Sequence, residues 1–439
     1  MLLPLDLRSW IPEDDPVHFF IHTIEGLSLE SLSVNERGTG SRQYPPRMML
    51  TLLLYCYSQG VFSSRKIEQA TIRDIAVRYL ACNLHPDHDT IARFRRKNAA
   101  LLQECFEQVL TMAKDGGMLK VGRVSVDGTH MRANASIDNN LTPDRAAEIG
   151  TKIKEDVAEL LKQAELADEA DTEEDGDRLP EALQGREKIL ERLKKVNEEA
   201  EKRAKQRHKK ALEEHAEKMR KREEATRKSG SAPKAPPAEP EVKSGEQVNL
   251  TDPESRVMRK NNRAGCTQSY NAQAVVCNES MLIIGQHVSQ CSNDTQELLP
   301  ALASIPAGVG QPTEVLADSG YGSRAAAAGL ESAGMEGFIS IGGESQHRDR
   351  SYDYRPRKPK PPPDPKAPWR VAMKKKLETK EGRQIYSERF HTVEPVFGII
   401  KSVFGFRQFS MRGLAKVEAE WSLVSTAYNL KRMFKLQKA

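Results

Sequence analysis

The chain has 439 residues, 38% hydrophobic and 29% charged, with a formal net charge of +5 at pH 7. That length allows two or three compact units at roughly 150 residues each and is ample to bury a core. No apolar run approaches the ~20 residues a membrane helix needs, and the start, MLLPLDLRSW, lacks the basic and apolar regions of a secretory signal, so the protein is expected inside the cell.

Residues 1–115 read as helical. Pro45-Pro46 precedes the apolar run MMLTLLLYCYSQGVFS, which ends near Gly60. Ser64 then offers an N-cap for a helix in which Ile67, Ile72, Ile75, Ala76 and Tyr79 recur at near-helical spacing. The polar stretch His85 to Asp89 breaks the pattern before a helix beginning at Thr90, and LLQECFEQVLTMAKDGG closes the region. Short helices, a turn and an Arg-rich helix resemble a helix-turn-helix, which marks Arg93, Arg95 and Arg96 as candidate DNA contacts. A domain boundary is expected at 115/116.

Around Val121–Ser136 the chain turns β-branched and apolar, a strand expected to run into a loop at Asp127-Gly128. The segment 141–248 is different in kind. Its Glu/Lys-rich stretches carry i,i+4 charge pairs and a sparse apolar stripe at Ile189, Leu190, Leu193 and Val196, which suits exposed helices folded as a hairpin about Gly176–Pro180. A Pro-rich linker follows, and the whole reads as an insertion within a domain. The six cysteines (Cys56, Cys82, Cys105, Cys266, Cys277 and Cys291) form no C-x-x-C pair, so a zinc ribbon or redox pair is not expected.

Strand patterns return in TQSYNAQAVVC and MLIIGQHVSQ, separated by Asn278-Glu279-Ser280, then in TEVLA. The helix RAAAAGLESAG and the strand GFISIGG come next, so residues 116–439 predict a mixed α/β sheet interrupted by the charged insertion. Residues 346–382 contain KPKPPPDPKAPWR and read as a loop, and from Tyr386 to Lys435 the chain reads as helical. Between Gly343 and Arg383 there are 13 Lys/Arg against 6 Asp/Glu, a local excess suited to a polyanion.

Three acidic residues stand where an element meets a loop: Asp127 after RVSV, Asp318 after EVLA, and Glu394 in HTVEP. Singly, the first two read equally well as turn residues and the third as a solvated helix residue. As a set they suit phosphodiester transfer, which uses two divalent ions about 3.5–4 Å apart held by hard oxygen ligands. Pro395 is tolerated only in a first helical turn, which makes Thr392 a candidate N-cap and puts Glu394 near the positive end of the helix dipole. Lys401, seven residues on, returns to nearly the same face after about 700°. Lys401 is thus a candidate for DNA phosphate, and Tyr386 and Arg389, which fall just before this helix, are candidates for the same DNA backbone.

The segments YPPRMMLTLLLYCYSQGVFSSRKIE, HPDHDTIARFRR, VSVDGTHMRANAS, DPESRVMR, YNAQAVV, LADSGYGS and VEPVFGIIKSVFGFRQFSMRGLAKVEAEW with AYNLKR resemble bacterial insertion-sequence transposases. The resemblance implies a ribonuclease H-like core with Asp127, Asp318 and Glu394 as catalytic and metal-binding residues, using two Mg²⁺ ions or Mn²⁺. It carries the Tyr-Arg-Glu-Lys signature of that family onto Tyr386, Arg389, Glu394 and Lys401. Four residues separate Arg389 from Glu394 where the signature has three, so Arg389 is its loosest member. Arg407 and Arg412, in the same final block, are further candidate DNA contacts. The implied protein nicks double-stranded DNA at terminal inverted repeats and joins the 3′-hydroxyl to a target. It would work as a homodimer or larger assembly in the bacterial cytoplasm, associated with the nucleoid. The residues alone leave open a nuclease that never joins strands, because the same carboxylates serve both.

Overall fold

The computed structural model describes residues 6–33, 43–169, 178–229, 246–259, 265–342 and 367–438. Gly176 in the expected hairpin break, the Pro-rich linker from 230 to 245 and the Pro/Lys stretch up to 366 lie outside them.

Six helices come first: α1 (Pro16–Glu25), α2 (Pro46–Ser58), α3 (Ser64–Arg73), α4 (Ile75–Leu80), α5 (His88–Lys97) and α6 (Ala99–Asp115). Then come β1 (Arg123–Arg132), β2 (Asn140–Leu141), α7 (Pro143–Glu169), α8 (Arg178–Ser229), β3 (Val248–Asn249) and β4 (Arg256–Arg259). β5 (Cys266–Cys277), β6 (Ile283–Ser289), α9 (Leu298–Ala303), β7 (Glu314–Ala317), α10 (Arg324–Ser332) and β8 (Glu336–Ile339) follow. The chain closes with α11 (Pro368–Glu378), α12 (Lys380–Ser387), α13 (Val393–Gly398), a π-helical turn at Ile399–Val403, and α14 (Leu414–Gln437).

These elements form two compact units. The first comprises the described residues of 1–133, 258–261 and 269–439; the second those of 134–257 and 262–268.

In the first unit β5 pairs antiparallel with β1 on one side and with β6 on the other, while β7 and β8 continue the sheet parallel to β1. β5 is buried from Gln268 to Cys277, as a strand covered on both faces must be. Helix α14 is buried on every side from Ala419 to Leu430, its polar Glu420 and Asn429 included, so it lies inside the core. It packs on β6, α2 and α6. Asn429 clasps the backbone of Ile283 from both sides (2.7 and 2.9 Å), and the Trp421 indole donates to the Gln273 carbonyl at 3.0 Å. The helices of the first 115 residues therefore share one core with the sheet, and the expected boundary at 115/116 does not separate compact units. The reason is α14, whose second apolar face needs α2 and α6 as cover.

Three further expectations change. β1 does not stop at Asp127-Gly128 but pairs with β5 through to Arg132↔Ser269, because its partner strand is long enough to carry it. Residues 368–378 are helix, not loop: Pro368 sits at the helix start, where its missing N–H costs nothing, and Leu377 and Met373 pack with Leu316 and Phe338 of the sheet. Helix α5 begins two residues before Thr90, since the Asp87 carboxylate caps it by accepting from the Thr90 amide at 2.8 Å.

The second unit has its own small core. Ala146, Leu193, Val196, Ala200 and Val248 are buried together, with Leu141, Ile149, Ile153 and Leu250 packed against them, so α7 and α8 lie side by side. Buried Arg203 holds the unit's chain ends, bonding Glu199, Glu246 and the carbonyls of Pro253 and Ser255. Ile189, by contrast, is 37% exposed.

Candidate active site

The strand register brings Asp127 and Asp318 together. β1 and β7 pair in parallel from Arg123↔Glu314 to Val126↔Ala317, and the pairing ends there. The next residue on each strand is a carboxylate. Asp318 thus stands just past the carboxyl end of β7, where open α/β sheets bind their ligands, and Asp127 lies beside it on β1 where the β1–β7 pairing ends. Asp318 accepts from the Gly320 amide at 2.7 Å, which fixes its rotamer over a single 3₁₀ turn. Asp127 accepts from the Gly128 amide at 2.9 Å.

Glu394 arrives from the far end of the chain. The turn before it is bound to the sheet: Thr392 Oγ1 lies 2.9 Å from the buried Ser125 Oγ, Asn278 donates to Glu388 at 3.0 Å, and Arg123 pairs with both Glu388 and Glu314. Thr392 precedes α13 as expected but makes no side-chain cap; its hydroxyl donates back to the Glu388 carbonyl at 2.9 Å.

All three carboxylates face one guanidinium. Arg389 Nη2 lies 3.5 Å from Asp127 Oδ2 and 3.8 Å from Asp318 Oδ2, and Nη1 lies 3.5 Å from Glu394 Oε1. Between Arg389 and Glu394 the chain passes through a 3₁₀ turn at Glu388–His391 and the non-helical Thr392 (φ −116°, ψ −86°). Arg389 is buried and its Nε has no hydrogen-bond partner. Burial works against its charge, but Asp127 and the neighbouring groups more than offset this, so its pKa is raised. Burial also acts first on Asp127, whose carboxyl is pushed up to about 7, with Arg389 opposing and Asp318 adding to the rise.

Lys401 lies in the π-helical turn, where wider i→i+5 bonding delays its return toward the face of Glu394. Its ammonium reaches the Thr129 hydroxyl and the His130 carbonyl, two and three residues beyond Asp127 on β1. Thr129 and Asp127 share a strand face, so the lysine stands beside the carboxylates. Tyr386 is half-buried and packs against Leu316, Phe338 and Leu377. Arg93, Arg96, Arg407 and Arg412 are exposed.

Arg95, expected among the DNA contacts, is turned into the protein interior. It is 6% exposed and donates to the buried Tyr57 hydroxyl at 2.6 Å and to the Phe62 carbonyl at 3.2 Å, with Glu420 of α14 at 3.9 Å. It lies four residues from buried Ile91 and so shares the inward face of α5, while Arg93 and Arg96 point away.

Residues to which the sequence assigns no individual role surround the aspartates. The Tyr321 hydroxyl donates to Gln273, and Asn271 and Gln273 both donate to Asp294. The available signal was two amide residues at alternate positions in a strand otherwise rich in buried apolar residues.

A transposase DDE-domain family matches residues 246–430, and a second transposase-domain family (DUF772) matches residues 5–97. Together they cover well over half of the chain. The chain belongs to the insertion-sequence DDE transposases. No curated protein and no solved structure matches it. The DDE match takes in Asp318 and Glu394 and begins after Asp127. The mixed sheet of this transposase, with its charged helical insertion and helical N-terminal region, is the ribonuclease H-like arrangement of the family. The family implies dependence on a divalent metal. Among the described residues no three His, Cys, Asp or Glu side chains are close enough to grip an ion as they stand. The donor set nevertheless fits one: three hard-oxygen carboxylates surround a single cationic group, the Arg389 guanidinium. Among the described residues no helix is long and apolar enough to cross a membrane.

Proposed function

We propose that this transposase cuts the ends of its element and joins them to target DNA at one site, with Asp127, Asp318 and Glu394 as the catalytic carboxylates. The observation that carries the reading is the meeting of all three on Arg389 beyond the last β1–β7 pair. The three carboxylates would hold two Mg²⁺ ions or Mn²⁺, which supply Lewis-acid stabilisation of charge on the phosphodiester.

The protein's own groups do the rest. Lys401 and Arg389 bind backbone phosphate, with Arg389 exchanging carboxylate partners for phosphate oxygens as DNA enters. Half-buried Tyr386, on the last turn of α12 just before Arg389, adds a further contact to the same backbone. Exposed Arg93, Arg96, Arg407 and Arg412 add backbone contacts, so binding weakens steeply with salt. In the first reaction water attacks phosphorus, the P–O3′ bond breaks, and a free 3′-hydroxyl remains. In the second, that hydroxyl attacks a target phosphodiester; a new P–O bond forms and the target's own 3′-oxygen leaves and is protonated. Two element ends and one site per chain call for a homodimer or larger assembly, acting on double-stranded DNA in the bacterial cytoplasm and nucleoid.

The test is cleavage of a duplex carrying the DNA that flanks the gene, with Mg²⁺ or Mn²⁺. Asp127→Ala, Asp318→Ala and Glu394→Ala are each expected to lower the rate by at least about 10³-fold, with binding retained. Intact cleavage in all three rules the assignment out. Joining of pre-cut ends in the same assay separates a transposase site from one that only hydrolyses.

A further inference from the structure

Asp294, in the loop between β6 and α9, stands beside the two aspartates without belonging to either strand end. Its Oδ1 accepts from Asn271 Nδ2 at 2.8 Å and from Gln273 Nε2 at 2.6 Å. Those amides alternate on β5, and the β1 register sets Gln273 opposite Gly128 and Ala274 opposite Asp127. A methyl group at Gly128 would lie 2.7 Å from Asp294 Oδ1 and one at Gly320 would lie 3.6 Å from Oδ2. The Gln273 amide and the Asp294 carboxylate together fill the room left by Gly128, just after Asp127, and Asp294 is in ordinary contact distance of Gly320, in the turn capped by Asp318.

The surroundings hold it there. The Tyr321 hydroxyl donates to Gln273 Oε1, which leaves Gln273 Nε2 to face Asp294. Trp421 secures the Gln273 backbone. Asn271 is fully buried, and its Oδ1 is a hard-oxygen donor with no hydrogen-bond partner. A simple loop anchor does not need this chemistry: a neutral side chain would accept the same two amide bonds without placing a third negative charge near Asp127 and Asp318. Like charges at close range are costly unless a cation repays them.

We infer that Asp294 is a positioning residue of the active site, a fourth carboxylate clamped by Asn271 and Gln273 whose charge strengthens divalent-cation binding by Asp127 and Asp318. This rests on the triad reading above. The test uses Asp294→Asn, which keeps the shape and the Oδ1 acceptor and removes only the charge. Mn²⁺ binding to the full-length, DNA-free protein is measured by titration calorimetry and by the paramagnetic resonance of free Mn²⁺, with Asp294→Glu and Asp127→Asn alongside. Affinity is expected to fall roughly tenfold in Asp294→Asn, to recover within about threefold in Asp294→Glu, and to be nearly lost in Asp127→Asn. Wild-type affinity in Asp294→Asn with weakened binding in Asp127→Asn overturns this inference alone. Unchanged binding in Asp127→Asn overturns the triad reading. An Asp294→Asn protein that fails to fold while Asp294→Glu folds also counts against the inference, since the charge would then serve the fold.

Discussion

The carboxyl group of Asp127 is half-buried beside Asp318 and Arg389, and desolvation holds its pKa near 7 against about 3.9 for a free aspartate. A carboxyl raised in the folded state is neutral there while the unfolded chain is already ionised. Its contribution to stability is therefore complete below about pH 4 and is lost as pH rises through 7. Metal-free protein is expected to show a melting temperature that falls across that window, and Asp127→Asn should flatten the fall. Added Mn²⁺ should raise the melting point far more at pH 8 than at pH 5, because ligands must be deprotonated. A metal-free melting curve that is level from pH 4 to 8 would contradict the pKa given for Asp127. Asp127, Asp318 and Glu394 were legible in the sequence through motif resemblance, each being weak by itself. Asp294 was not, because SNDTQE reads as ordinary turn chemistry and only the β5 register reveals the amides that aim it.

At the scale of elements, α5 shows how one helix can serve two purposes. Its exposed arginines remain candidates for DNA, while Arg95 joins Tyr57 to Glu420, which itself accepts the Ser410 and Met411 amides at 2.8 and 3.0 Å. Arg95→Ala should destabilise the protein by roughly 3–5 kcal/mol by leaving a buried carboxylate uncompensated. Arg96→Ala should stay within about 0.5 kcal/mol. Denaturant midpoints measure both, and equal losses would show that Arg95 does not hold this network. The i,i+4 relation to Ile91 would have separated the two arginines, so this error was avoidable from spacing. The helix at 368–378 was harder to read. Its apolar residues are few, and what stabilises it is contact with Leu316 and Phe338, which lie well upstream in the chain. The end of β1 was missed for a related reason: Asp-Gly is a turn signal that a long partner strand overrides.

At the scale of the whole molecule, the insertion was visible in composition, but its own core and the sharing of α14 between the N-terminal helices and the sheet were not. Those depend on long-range packing that periodicity does not carry. The two chains leading into and out of α7 and α8 pair as an antiparallel ribbon, Asn140↔Asn249 and Leu141↔Val248. A short Gly-containing turn can join such strands. Replacing residues 143–247 with that turn is expected to leave the first unit folded. In a Trp10→Phe, Trp369→Phe background, Trp421, fully buried in α14, reports on it: its emission should stay blue-shifted and its thermal transition cooperative. A red-shifted spectrum at room temperature would mean that the first unit depends on the insertion.

The strand register that joins Asp127 to Asp318 also bears on when the protein becomes dangerous to its host. The two residues are 191 positions apart, and Glu394 follows 76 later, so no early segment holds a complete site. During synthesis the ribosome has exposed most of the chain before the third carboxylate emerges, and α14, the helix that supports the sheet, comes after that. Copies truncated by frameshift or stop codons anywhere before Glu394 lose the third carboxylate and α14 together, so they are expected to lack both a complete set of carboxylates and the helix that completes the shared core.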